Sequence, residues 1–427
     1  MKKYFLSIIF ILMSCIGAQA QLTLDECHRL ARANYPEIRQ YDLVNLTRDY
    51  SVSSLGKAYL PQVSLSAQAT LQSAVPEYPA VLKSMLTSQG IEMPGLKKGQ
   101  YKVQAELSQL VWDGGLNAAN VKMAQAQAEA ETKSADVDLY ALEERINDLY
   151  FGVLLLDEQI SRIGHTIALL QTNLAKMNSL VRNGAAMTSD ADAVEADMLY
   201  MKQQLTQSEA YRAGYMKVLS LFVGKDISGN AFEKPSDSVP ASFSSARPEL
   251  GYFDAKAEEF SAQEKAVKAS TAPSFGFFAQ GYYGYPGLDY FKSMMDTGSS
   301  FNGLLGVRMY WNIGSFYTRK NSLDKIRTAK SRIEVQRDVF VFNNNLLAVQ
   351  ENDDISRLRK ELSDDDRIVE LRKRIREAAE SRLENGVIDS SDLLVKITEE
   401  NNALIARSSR EIELLKAVYE LKHTVNQ

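Results

Sequence analysis

Cysteine is nearly missing from this chain: Cys15 and Cys27 are the only two in 427 residues. Cys15 falls in an amino-terminal segment expected to be removed, so no intrachain disulfide framework is available. Cys27 is expected to be a small buried apolar residue. Histidine is almost as scarce. His28, His165 and His423 lie far apart without metal-ligand spacing, and neither a P-loop nor a nucleophile elbow occurs. The chain is therefore not expected to be an enzyme, and no catalytic, cofactor-binding or metal residue is assigned. Beyond residue 20 there is no run of 18 apolar residues, which excludes a transmembrane helix. A chain of this kind that spans a membrane must do so by strands. Basic stripes are lacking too: 49 Lys and Arg stand against 54 Asp and Glu, an acidic balance that argues against nucleic-acid binding.

The composition is that of an ordered protein, 24% charged and 45% hydrophobic. Its amino terminus reads as an export signal over residues 1–20. Lys2 and Lys3 precede an apolar run from Tyr4 to Met13, and Ala18-Gln19-Ala20 supplies small residues for cleavage. A mature chain beginning at Gln21 carries a net charge of −7 rather than −5, since the basic count falls from 49 to 47. Leu12-Met13-Ser14-Cys15 offers an alternative lipoprotein-type cleavage that would lipidate Cys15.

The strongest periodic signal runs from Leu139 to Val181. Leu139, Leu142, Ile146, Leu149, Val153, Leu156, Ile160, Ile163, Ile167, Leu170, Leu174, Met177 and Val181 alternate in steps of three and four, a heptad stripe. At ~1.5 Å per residue the helical pattern from Leu116 to Val223 would reach over 100 Å as one rod, or roughly 80 Å folded into a hairpin. A function that needs length follows.

The chain also repeats itself. Pro36-Glu37 and Pro61 return as Pro248-Glu249 and Pro273, offset by 212. Trp112-Asp113 returns as Trp311-Asn312, offset by 199, and Asn183-Gly184 with Ser189-Asp190 as Asn385-Gly386 with Ser391-Asp392, offset by 202. The fall in offset places a length-tolerant loop between Pro61 and Trp112. The expected organisation is a first repeat over 21–224, a crossover linker over 225–245 marked by Pro235 and Pro240, and a second repeat over 246–427. Each repeat reads helix, strand, loop, strand, long helical hairpin. The first helix opens on the capping box Thr23-Leu24-Asp25-Glu26, with Leu22 and Cys27 as a hydrophobic staple.

The strands are expected at about 62–72 and 101–112, then 274–283 and 302–313, with hairpins over 116–223 and 316–422. In the first strand Val63, Leu65, Ala67, Ala69 and Leu71 alternate with Gln, Ser and Thr, giving one apolar and one polar face. The second pair alternates less cleanly, Phe278 and Leu304 breaking phase. Strands of about ten residues match the ~9 to 11 that cross a bilayer at a tilt. Trp112, Trp311, Tyr101 and Tyr310 fall near strand ends, where membrane-interface aromatics belong. Four strands cannot close a membrane barrel, and two chains would give a barrel filled by side chains. Three chains and twelve strands leave a lumen, so a homotrimer in contact with lipid is expected.

Two joints interrupt the helices, Asn183-Gly184 and Asn385-Gly386, each followed by a fresh start for which Ser189 is the expected cap in the first repeat. The hairpin turn itself is expected near Ser161 to His165, where Gly164 is the only glycine between Gly152 and Gly184. Asp364, Asp365 and Asp366 read either as a solvated helix face or as part of an acidic ring near a pore mouth.

Taken together, Leu22-Thr23-Leu24-Asp25-Glu26 with Asn34-Tyr35-Pro36-Glu37, the Leu60-Pro61 strand start, Trp112-Asp113-Gly114-Gly115, Trp311-Asn312-Ile313-Gly314 and the two Asn-Gly joints resemble the TolC-like outer membrane efflux proteins. The resemblance implies a mainly α chain with a small β part, a trimeric 12-stranded barrel and an α-helical tunnel continuing it through the periplasm. It implies a passive exit duct for efflux or type I secretion, linked by a periplasmic adaptor to an inner membrane pump. The adaptor would meet the hairpin tips, placed by position at Gln159, Ser161, Arg162 and Gly164 and at Ser356, Arg357 and Lys360. A structural coiled-coil envelope protein and the adaptor itself are the alternatives, though the first would not need paired amphipathic strands in both halves and the second would carry one central hairpin where this chain has two.

Overall fold

The computed structural model describes residues 21–91, 94–184, 186–385 and 387–426, with the backbone alone for Glu384, Ser390 and Ser391. The export signal and Cys15 lie outside the described residues. In order, the chain forms α1 (Leu24–Asn34), α2 (Arg39–Gly56), β1 (Gln62–Leu71), α3 (Ala80–Ser88), β2 (Gly99–Trp112), α4 (Leu116–Arg182) and α5 (Thr188–Val223). Then follow α6 (Pro248–Ala269), β3 (Ser274–Tyr285), α7 (Tyr290–Met295), β4 (Ser300–Tyr310), α8 (Ser315–Glu384) and α9 (Ser390–Val425). Single 3-10 turns at Pro36–Ile38 and Lys57–Tyr59 flank α2. The chain is mainly helical with one small antiparallel sheet, and it divides into two compact units.

The first unit comprises residues 21–41, 132–252 and 335–426. Its core is the heptad stripe: Leu139, Leu142, Ile146, Val153, Leu156, Ile163, Ile167, Leu170 and Met177 are all buried. α1 packs on this stripe through Leu24, Cys27 and Ala31, together with Met216, Leu219 and Val223 of α5. The Thr23 hydroxyl accepts from the Glu26 amide at 3.2 Å, but the second arm of the capping box does not form. The Glu26 carboxylate turns instead to Arg29, at 2.7 Å. Leu22 and Cys27 are both buried in the same cluster, as a staple requires. The crossover segment is stitched to α1 by a parallel bridge between Leu22 and Phe232. Tyr150 of α4 locks that bridge: its hydroxyl lies 2.7 Å from the carbonyls of both Leu22 and Glu233, and its ring stacks on Phe232 at 4.6 Å.

α4 does not turn near Ser161. It runs unbroken for 67 residues through Gly164, and the reversal comes at Asn183-Gly184, where Gly184 takes φ 70°. A lone glycine costs a helix only about 1 kcal/mol, and the apolar stripe continues past it on both sides. α8 likewise runs through Ser356, Arg357 and Lys360 for 70 residues and ends at Glu384. The Asn183-Gly184 joint is therefore the hairpin turn itself, not an interruption of the returning helix, and the second hairpin turns between Glu384 and Ser390, Gly386 lying outside the described residues. The returning helices α5 and α9 are both 36 residues long. Ser189 sits inside the first turn of α5 and is not its cap. Asp190 accepts from the Met187 amide at 3.0 Å, and at the second turn the Asp389 carboxylate accepts from the Asp392 amide at 2.9 Å.

The two hairpins are held differently. α4 and α5 close on an apolar seam of Ile163, Ile167, Leu170, Met177, Ala191, Val194 and Met198. α8 and α9 share an apolar seam around Ile355, Leu358, Leu414 and Val418 and a smaller one at Ala379, Leu393 and Ile397, and between Glu361 and Glu380 ion pairs join them as well. Arg410 reaches Asp365 at 2.6 Å and Glu361 at 2.5 Å, Arg407 reaches Asp366 at 2.9 Å, Arg372 reaches Glu399 at 2.7 Å, and Arg376 pairs with Glu400.

The second unit comprises residues 42–131 and 253–334. It holds the sheet, in the order β1-β2-β3-β4, every pairing antiparallel. β2 ends at Trp112 as expected but begins two residues earlier, at Gly99; β3 begins at Ser274 as expected but continues to Tyr285; and β4 runs over Ser300–Tyr310, starting and stopping earlier than expected. The two strand connections, 72–98 and 286–299, each carry a short helix, and the first is the longer, as the falling offset requires.

Candidate membrane-spanning sheet and hairpin turns

Strand register decides which side chains share a face. Val63, Leu107, Ala279 and Leu305 lie in one rung, and Ala67, Val103, Tyr283 and Phe301 in another. That face is apolar from edge to edge, and it is bare: Val63 is 75% exposed, Leu65 77%, Phe301 77% and Leu305 86%. Water does not tolerate so large a contiguous apolar patch on a soluble surface. The alternate rungs are polar, Ser66 with Gln104, Tyr282 and Asn302, and Ser64 with Glu106, Gln280 and Leu304. Phe278 and Leu304, which broke the sequence alternation, lie on this polar face, where Phe278 carries the Arg308 guanidinium at 4.6 Å. β1 and β4 each leave one edge unpaired.

Aromatic residues gather at both ends. At the end leading into the helices, Trp112 closes β2 with its ring 5.7 Å from Phe275. Trp311 follows β4 directly and donates from Nε1 to the Thr271 carbonyl at 3.1 Å. Tyr310, the last residue of β4, is exposed beside them. Tyr101 lies at the opposite end, its hydroxyl 2.6 Å from that of Ser299. The stretch of β2 between Tyr101 and Trp112, at ~3.4 Å per residue and a tilt of about 40°, covers roughly 28 Å, close to the ~25 Å apolar band of a membrane barrel.

The strand-to-helix junction explains Trp112-Asp113-Gly114-Gly115. Asp113 accepts from the amides of Gly115 at 3.0 Å and Asn117 at 2.7 Å, capping α4, and from the Tyr59 hydroxyl at 2.9 Å. Gly114 and Gly115 take φ 70° and 83°, a region other residues rarely enter, and the Ala272 methyl fills the space where a Gly114 side chain would go.

The tip residues expected near position 160 lie within a continuous helix and not at a turn. Gln159, Ser161, Arg162 and Gly164 lie inside α4, Arg162 donating to the Ser408 hydroxyl of α9 at 3.3 Å. Ser356, Arg357 and Lys360 lie inside α8, Arg357 between Asp354 at 3.3 Å and Glu361 at 3.0 Å. At the turns themselves an exposed apolar residue stands out in each hairpin, Met187 at 74% and Val387 at 67%. Of the three aspartates, Asp365 and Asp366 are neutralised by Arg410 and Arg407, and Asp364 is exposed.

One buried polar cluster was not legible in the sequence. Glu351 of α8 accepts from the Thr424 hydroxyl at 3.0 Å, and its other carboxylate oxygen has no partner. Burial, with Glu420 and Glu144 nearby, pushes its pKa up to about 7 against the pull of Thr424 and Arg247. Next to it His423 stacks on Tyr140 at 4.3 Å, and burial holds the imidazole below its ordinary pKa. Among the described residues no group of His, Cys, Asp and Glu is arranged to hold a metal ion, and no helix is long and apolar enough to cross a membrane.

By sequence the chain matches no family model and no curated protein. Its fold has solved counterparts. It is similar over 94% of its length to the outer membrane protein VceC of Vibrio cholerae, covering 95% of that chain at TM-score 0.67 and 14% identity. It is similar over 94% to the outer-membrane channel OprN, covering 89% of that chain at TM-score 0.69 and 12% identity. The open state of the Neisseria gonorrhoeae outer membrane channel MtrE is matched over 94% of this chain and 88% of that one, at TM-score 0.66 and 14% identity. These likenesses establish the fold.

Proposed function

From a fold shared with TolC-like outer membrane channels, we propose that this chain is the outer membrane exit duct of an efflux or type I secretion system, built as a homotrimer. The observation that carries the reading is the sheet: an apolar face exposed across all four strands, a polar face behind it, and two unpaired outer edges. In lipid an open edge leaves backbone groups unsatisfied, so the edges must be closed by other chains. An even number of strands per chain lets β1 of one copy pair antiparallel with β4 of the next all the way round. Three copies give twelve strands with the apolar faces outward and the polar faces around water.

The helical hairpins would continue the duct into the periplasm and open by untwisting at their inner ends. A periplasmic adaptor, itself linked to an inner membrane pump, would meet the turns at Asn183-Gly184 and 385–389, where Met187 and Val387 offer apolar contacts. The duct performs no chemistry of its own; energy comes from the pump. The test is fractionation followed by gel mobility of detergent-extracted protein with and without heating. A membrane-bound, heat-modifiable trimer is expected. A soluble monomer in the periplasmic fraction would overturn the reading.

A further inference from the structure

The four strands hold very few charges, and all of them lie on the polar face. Lys102, Glu106 and Arg308 are the charged residues among the described residues of β1 to β4. Their neighbours sort them into a neutral group and a surplus. The Glu106 carboxylate takes Arg308 at 3.5 Å and the Gln280 amide at 2.8 Å, while Arg308 is also stacked on Phe278. That pair cancels. Lys102 is left over: its ammonium donates to the Gln104 amide oxygen at 3.0 Å and stands 5.7 Å above the Tyr282 ring, with no carboxylate partner among the described residues.

Lys102 lines a recess of about 400 Å³ on the polar face at the loop end of the sheet. Among the described residues the other polar side chains lining it are amides and hydroxyls, including Gln68, Gln100, Gln280 and Tyr290, and none is an acid. Glu106 lies one amide away, accepting from Gln104 at 3.4 Å, but its charge is taken by Arg308; an ammonium without a direct carboxylate partner attracts anions and repels cations, and in a narrow, protein-walled passage the effect outlasts the screening of bulk water.

We propose that the outer end of the lumen is an anion-preferring passage whose determinant is Lys102, one positive charge from each chain facing the cargo. The recess then favours carboxylate- or phosphate-bearing molecules over cationic ones as they leave. This rests on the duct reading above, because only in a closed barrel does the polar face enclose the cargo's path.

The test is the reversal potential of the purified trimer in planar bilayers across a potassium chloride gradient. Wild-type channels are expected to pass chloride in preference to potassium. Lys102→Glu should lower the chloride-to-potassium permeability ratio by about threefold or more, the scale of a reversed unit charge a few ångströms from an ion in a wet pore. Glu106→Gln, which leaves Arg308 uncompensated, should raise it. Heat-modifiable trimer bands in both variants show that folding is intact. A ratio unmoved by both substitutions, or moved by each in the wrong direction, overturns the assignment. Absence of any channel in the wild-type trimer would instead overturn the duct reading beneath it.

Discussion

A side chain placed on Gly114 would enter the space of the Ala272 methyl and would have to adopt φ 70°. Gly114→Val is therefore expected to destabilise the sheet-to-helix junction by more than about 2 kcal/mol, read as loss of heat-modifiable trimer or a lowered denaturation midpoint. Glu351 gives a second expectation at this scale. Its folded pKa, about 7, lies above the ordinary carboxylate value. The protonated form is thus the better tolerated in the fold, and the stability it contributes is complete below the unfolded pKa and lost as pH rises through about 7. Facing it are Thr424 and Glu420 of α9, Glu144 of α4 and Arg247. Glu351→Gln should flatten the fall in stability between about pH 4.5 and 7, measured by thermal melts across that range. A variant melting with the wild-type pH slope would remove Glu351 as the cause.

Among the elements, the contrast between the hairpins is open to experiment. The seam of α8 and α9 includes Arg410 and Asp365, both largely shielded, at 2.6 Å. Arg410→Asp should destabilise the hairpin by about 1 kcal/mol or more, and adding Asp365→Arg should restore part of the loss. A double mutant no better than the single would show that the pair contributes nothing specific. High salt should weaken this seam and leave the apolar seam of α4 and α5 almost untouched.

The hairpins also show what sequence could and could not tell. The stripe from Leu139 to Val181 was readable because burial on one side of a helix leaves a fixed period. The turn was not found at Gly164 because a glycine without φ above zero is a minor blemish in a long helix. The real signal was the Asn-Gly pair with an aspartate just beyond, Asp190 or Asp389, satisfying the next helix's free amides. Pairings such as Arg410 with Asp365 join positions 45 residues apart and leave no local period to detect.

At the scale of the whole molecule, the exposed apolar face makes a depth-dependent demand. Leu305→Arg, in the middle of β4, should cost about 2–4 kcal/mol if the face meets lipid, and should deplete assembled trimer in the membrane fraction. Ser64→Arg, on the opposite face, should assemble normally. Equal tolerance of both would mean that the face does not meet lipid. The apolar alternation of β1 made this face legible from sequence. The second strand pair was harder, because Phe278 and Leu304 put apolar groups on the polar side, and only register shows that Phe278 serves as the platform for Arg308.

The register between β2 and β3 also imposes an order on biogenesis. Tyr101 pairs with Tyr285, so the central seam of the sheet waits for a segment synthesised after both helices of the first hairpin. Until then the β1-β2 ribbon has two bare edges and a greasy face. The hairpin of α4 and α5 can close early on its own seam, while the core around α1 is completed only by Ile412 and Leu415 of the last helix. On the duct reading proposed above, insertion waits for β3, and a truncated chain lacking it would be a substrate for chaperones and proteases rather than a half-built pore.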